Sequence, residues 1–134
     1  MSPDKKFSVL IADKSRSILI NLKEILKNKF PCEEIVSCRD GTEAWEIIQK
    51  TKFNLILSDS VLPGISGEEL LCNVRENGKT KNIPFLIISN KKDKESVMKA
   101  ISSGATGYMI KPFSENDIIK KIESILHVRS KSFK

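Results

Sequence analysis

"LILSDSVLPGISG", residues Leu55–Gly67, runs four residues of buried-strand character, Leu55 to Ser58, straight into an acid, Asp59, and then into a turn at Pro63-Gly64. A carboxylate at the end of an apolar strand loses hydration. It is tolerated there when a cation, a hydrogen-bond network or chemistry occupies the place. Outward from this stretch, strand and helix periods alternate to both ends of the chain. Upstream, "FSVLIA" (Phe7–Ala12) is a short apolar run, and the following "SILINLKEILKNKF" places Ile18, Leu22, Ile25 and Leu26 at helical spacing. "EEIVSC" predicts a second strand, and "DGTEAWEIIQK" a turn and a helix with Ala44, Ile47 and Ile48 on one side. Downstream, "GEELLCNVREN" predicts a helix ended by Asn77-Gly78, "PFLIIS" a strand, "KESVMKAISSG" a helix and "GYMI" a strand. "SENDIIKKIESILHV" is the last helix, with Ser114 and Asp117 spaced as a cap. Five strand–helix units with apolar strands predict a parallel sheet covered by helices on both faces.

Composition sets the class. With 134 residues, 40% hydrophobic and 30% charged, the chain fits one globular domain over 1–134, with 128–134 a short basic tail or the start of a linker. The apolar runs are too short and interrupted for a membrane span, and Asp13 arrives too early for a secretory leader, so a soluble, cytoplasmic protein is expected. Cys32, Cys38 and Cys72 match no zinc or redox spacing and read as structural thiols. The net charge of +6 is scattered over the helices and the tail without interleaved aromatic residues, which disfavours direct nucleic-acid binding.

In open parallel sheets, ligands sit outside the carboxyl ends of the strands. Asp13, Asp59, Ser89 and Lys111 all fall at or just past such ends, on the first, third, fourth and fifth strands, so one crevice can gather them. Taken singly, Asp59 could be a turn-forming acid, Lys111 a solvated loop lysine and Tyr108 half-buried packing. Trp45 reads as packing or surface.

Four segments, "VLIADKS", "DSVLPGISG", "LIISN" and "GATGYMIKPF", resemble in order and spacing the signature segments of response-regulator receiver domains of the chemotaxis-regulator type. The resemblance covers essentially the whole chain and implies a flavodoxin-like, doubly wound, five-stranded parallel sheet with five helices. It implies a phosphoacceptor signalling module, not a turnover enzyme, that takes a phosphoryl group on Asp59 from a sensor histidine kinase or phosphotransfer protein. It further implies Lys111 as the balancing cation, Ser89 as the hydroxyl that bonds the phosphoryl group and Tyr108 as an aromatic switch. A magnesium ion is expected on Asp13, Asp59 and the Val61 carbonyl, a cis Lys111–Pro112 bond is expected, and the output partner is expected on the fourth helix, fifth strand and fifth helix, around Lys94, Met98, Tyr108 and Lys120.

The first segment departs from the family pattern of two adjacent acids. One alignment sets Asp13 on the first acid and Lys14 on the second. The other makes Ala12 the lost acid and Asp13 the direct metal ligand. The first keeps "VLIA" in the strand and Ser15 at the helix start; in both, one acid is missing. An ammonium at the second position is expected within salt-bridge reach of Asp13 or Asp59, weakening the magnesium site through repulsion and a lost ligand. The alternative function is therefore a degenerate receiver, a protein-binding module that works without phosphorylation. A flavodoxin-type cofactor binder lacks its Gly-rich phosphate loop, because "DKSRS" follows the first strand.

Overall fold

The structure, a computed structural model, describes residues 6–131. Its strands are β1 (Phe7–Ala12), β2 (Cys32–Cys38), β3 (Leu55–Ser58), β4 (Phe85–Ser89) and β5 (Gly107–Ile110). Between and after them come α1 (Arg16–Lys29), α2 (Gly41–Lys50), α3 (Gly67–Glu76), α4 (Lys94–Ser102) and α5 (Glu115–Leu126). The strands form one parallel sheet in the order β2-β1-β3-β4-β5. This is the doubly wound, flavodoxin-like architecture that the alternating periods and the resemblance imply.

Period-two alternation within each strand divides the core into two layers. Val9, Ile11, Leu57, Leu86 and Ile88 face α1 and α5, where Leu22, Leu26, Ile118 and Ile122 meet them. Leu10, Ile56, Phe85 and Ile87 face the other way, onto Ala44, Ile48, Leu70, Val74 and Ala100 of α2, α3 and α4, with Trp45 packed at the margin of that layer. The strands β1, β3 and β4 are covered on both faces, which is why their sequences read as continuous apolar runs. At the β2 edge, Glu33 and Glu34 are exposed and blunt the unpaired rim.

Every helix starts on a side-chain cap: Ser15, Asp40, Ser66, Asp93 and Ser114 each accept a hydrogen bond from an amide of the first turn. The expected Ser114 cap is formed, with the Asp117 amide donating to Ser114 Oγ at 3.0 Å. The last helix stops at Leu126, two residues short of the expected Val128, because His127 adopts a left-handed φ of 55° that ends the helical path. Of the expected basic tail, residues 132–134 lie outside the described residues. The described part is anchored: the Ser130 amide and hydroxyl both donate to Glu123 Oε2, each at 2.8 Å.

Burial pushes the Cys32 thiol up to about 11 and the Cys38 thiol up to about 12, which keeps both as unreactive thiols near neutral pH.

At the end of the sheet remote from the strand carboxyl termini, Arg75 on α3 is half-buried and donates to the carbonyls of Gly104 (2.8 Å), Lys81 (3.0 Å) and Ile83 (2.7 Å). One guanidinium thus ties α3 to the segments entering β4 and β5. Arg75→Ala strips these carbonyls of a charged donor and should cost about 2–3 kcal/mol. Urea unfolding followed by circular dichroism checks it; an unchanged midpoint would assign no stabilising role to the tie.

Candidate functional site

The site is assembled where β1 and β3 end. The Asp13 amide donates to the Cys38 carbonyl at 3.1 Å and the Asp59 amide to the Ala12 carbonyl at 2.9 Å, so both acids are held by ladder bonds continued one residue past their strands. Their side chains are nearly sealed from solvent, at 2% exposure for Asp13 and 6% for Asp59. Between them sits one ammonium. Lys111 Nζ lies 2.7 Å from Asp13 Oδ2 and 2.9 Å from Asp59 Oδ2. The Lys111 amide, bonded to the Ser89 carbonyl at 2.9 Å, fixes where the lysine leaves β5, and the Lys111–Pro112 bond is cis as expected.

Burial disfavours the Lys111 ammonium, but the hydrogen bonds and charges of Asp13 and Asp59 outweigh it and hold its pKa above the ordinary 10.5. The remaining carboxylate oxygens are also engaged: Asp13 Oδ1 accepts from the Ser15 amide (2.9 Å) and Asp59 Oδ1 from the Val61 amide (3.2 Å). Behind Asp59, α3 comes so close that a Cβ at Gly67 would collide with the Asp59 carbonyl, which accounts for glycine at this helix start.

Ser89, at the end of β4, is buried beside the pair. Its hydroxyl is 2.5 Å from the hydroxyl of Ser60 and accepts from the Lys91 amide at 3.1 Å. The Lys91 carbonyl in turn accepts from the hydroxyl of half-buried Tyr108 at 2.6 Å. Lys91 therefore links Ser89 to Tyr108 through its backbone alone.

The sequence-predicted residues Asp13, Asp59, Lys111 and Ser89 do converge. Lys14 does not join them. Against the expectation of salt-bridge reach to Asp13 or Asp59, its side chain is exposed and forms no ion pair among the described residues, while Arg39 Nε donates to its backbone carbonyl at 3.0 Å. Asp13, one residue past β1, has its side chain turned inward, so the next residue, at the start of the turn into α1, faces out. The cation against the carboxylates is Lys111.

Val61 is 42% exposed, and among the described residues its carbonyl accepts no hydrogen bond. Two carboxylates and that carbonyl form a hard-oxygen donor set, and −2 from the acids with +1 from Lys111 leaves one net negative charge. Such a set suits magnesium, which keeps several waters and takes one or two carboxylates. No third His, Cys, Asp or Glu joins the acids among the described residues.

The model of the response regulator receiver domain family matches residues 9–123. The chain is a receiver domain. Its structure superposes on chemotaxis response regulator CheY4 of Vibrio cholerae with a TM-score of 0.84 at 30% identity, over 91% of this chain and 100% of that one. The manganese-bound form of response regulator Rcp1 gives a TM-score of 0.78 at 25% identity, over 89% of this chain and 91% of that one. Among curated relatives, the two-component response regulator-like APRR9 of Arabidopsis thaliana is 38% identical over 89 residues, 65% of this chain. The receiver spans about a fifth of that relative, 19% of its length. Among the described residues, no helix is long and apolar enough to cross a membrane.

Two contributors escaped the reading of the sequence. Ser60 is buried at 2% exposure and bonded to Ser89, but a serine between an acid and a valine carries no periodic or motif signal. The backbone of Lys91 was missed because a main-chain link leaves no trace in residue type.

Proposed function

We propose that this receiver accepts a phosphoryl group on Asp59 from a histidine kinase or phosphotransfer protein and that the modified state changes which partner it binds. The observation that carries the reading is Lys111 Nζ within hydrogen-bond reach of both buried carboxylates. A carboxylate oxygen of Asp59 attacks phosphorus, the P–N bond of the phosphohistidine breaks, and its electron pair returns to the imidazole. The attacking group and the equatorial oxygens are all negative, so a fixed cation at the carboxylate lowers the repulsion. Asp13 keeps that cation in place, and the Ser89 hydroxyl provides a hydrogen bond to the phosphoryl oxygens. Asp13, Asp59 and the Val61 carbonyl would hold magnesium, as the donor set and the manganese-bound Rcp1 relative support. When bound, the ion supplies further positive charge against the phosphoryl oxygens.

Phosphorylation is read out through Lys91. Ser89 and Tyr108 share its backbone, so a hydroxyl drawn toward Asp59 moves the loop that Tyr108 is tied to. Nearby, Met98 (59% exposed), Ile101 (48%) and Ile110 (41%) leave apolar surface on α4 and β5 beside exposed Lys94 and Lys120. That mixture suits a protein partner on the α4–β5–α5 face.

Magnesium with a small phosphodonor such as acetyl phosphate should label the protein, and the amide signals of Lys91, Met98 and Tyr108 should shift together with those of the site. Shifts confined to the loops around Asp13 and Asp59 would contradict the switch. Lys14, where the family pattern has a second acid, favours the second reading, a degenerate receiver that binds its partner unphosphorylated, and absence of metal-dependent labelling would select it.

The outward placement of Lys14 changes what its substitution should do. An exposed ammonium is screened, so Lys14→Ala should alter magnesium affinity by no more than about twofold. Lys14→Asp should tighten it clearly more, to the extent that the new carboxylate adds an oxygen ligand. Titration followed by amide shifts measures both. A large gain from alanine alone would mean that the lysine charge does reach the metal.

A further inference from the structure

The Ser60–Ser89 pair carries one proton more than the link between its two oxygens uses. Both hydroxyls are buried, at 2% and 1% exposure, with their oxygens 2.5 Å apart. Two hydroxyls carry two protons, and one of them fills the link between the oxygens. Among the described residues, neither Ser60 Oγ nor Ser89 Oγ donates to any other acceptor, and the only further bond is the Lys91 amide donating to Ser89 Oγ at 3.1 Å. The second proton is therefore not held within the pair.

We propose that Ser60 is a positioning residue whose hydroxyl donates to Ser89 and thereby aims the Ser89 proton at the phosphoryl group on Asp59. The inference rests on the reading of Asp59 as phosphoacceptor. In this arrangement the Ser60 hydroxyl and the Lys91 amide occupy both lone pairs of Ser89 Oγ, which leaves its proton a single direction away from both. The donor is then oriented before the phosphoryl group arrives, and accepting from Ser60 strengthens it. An incoming phosphoryl oxygen accepts that proton. No covalent bond changes at either serine.

Beryllofluoride with magnesium, a phosphoryl mimic, tests this in the intact chain by titration followed through the Lys91 and Tyr108 amide signals. Ser60→Ala leaves the Ser89 proton in place but frees its rotation, and should weaken beryllofluoride binding about fivefold. Ser60→Cys, nearly isosteric and a poor donor, should do the same and carries the test if the alanine variant folds poorly. In a Ser89→Ala background, Ser60→Ala should have no further effect, because its action passes through Ser89. The Lys91 amide signal should also move in Ser60→Ala without beryllofluoride. Wild-type affinity retained in both Ser60 variants, or an equal loss with and without Ser89, would overturn the proposal. If the wild-type protein itself binds no beryllofluoride, it is the reading of Asp59 that fails.

Discussion

Lys111→Met should destabilise the protein by about 3–5 kcal/mol near neutral pH, the cost of removing one partner from a buried charge cluster. Lys111 Nζ is the hydrogen-bond and charge partner of both Asp13 Oδ2 and Asp59 Oδ2, and its side chain is only 10% exposed. Methionine fills similar volume, so packing is kept and the loss isolates the charge. What remains is a pair of carboxylates with no cation between them. Magnesium should return part of the stability, since an ion that binds only the folded state stabilises it by mass action.

The pH dependence follows from the raised pKa of Lys111. Its stabilising contribution is fully present below the unfolded value, near 10.5, and is lost as pH rises through the higher folded value. The gap between wild type and Lys111→Met should therefore be flat through the neutral range and narrow only in strongly alkaline solution. Urea midpoints across pH, with and without magnesium, measure it. A variant as stable as wild type without metal would show that the ammonium compensates nothing.

Asp59→Asn should separate chemistry from folding. The substitution removes the attacking carboxylate, so labelling by a phosphodonor should fall to background. Stability should hold within about 1 kcal/mol or rise, because Lys111 keeps its 2.7 Å bond to Asp13 and the cluster becomes neutral. Metal affinity should fall as well, with one of two carboxylates gone. Labelling that persists in Asp59→Asn would place the acceptor elsewhere.

Much of this was legible in the residues. Continuous apolar runs in β1, β3 and β4 announce strands covered on both faces, and polar residues just past their ends mark the crevice. Asp13, Asp59, Ser89 and Lys111 could be gathered because parallel topology sends all four strand ends to one edge of the sheet. Direction was harder to read than position. Asp13 and Lys14 are neighbours at the end of a strand, and which of them turns inward is settled by the turn into α1, where Ser15 caps the helix and its amide bonds Asp13. Ser60 stayed hidden because its partner is 29 residues away and hydroxyl pairs have no sequence period. Arg75 looks like an ordinary charge in the last turn of a helix, and its role depends on two loops folding over it. The helix stop at His127 is a backbone choice that the apolar pattern through Val128 conceals.

Asp59, and no other carboxylate, should take the phosphoryl group. Incubation with acetyl phosphate and magnesium, borohydride reduction of the acyl phosphate to homoserine and peptide mapping by mass spectrometry test it directly. Homoserine is expected at the Asp59 position alone, dependent on magnesium and absent in Asp59→Asn. Homoserine at Asp13, or none anywhere under conditions that label a chemotaxis regulator run in parallel, would contradict it.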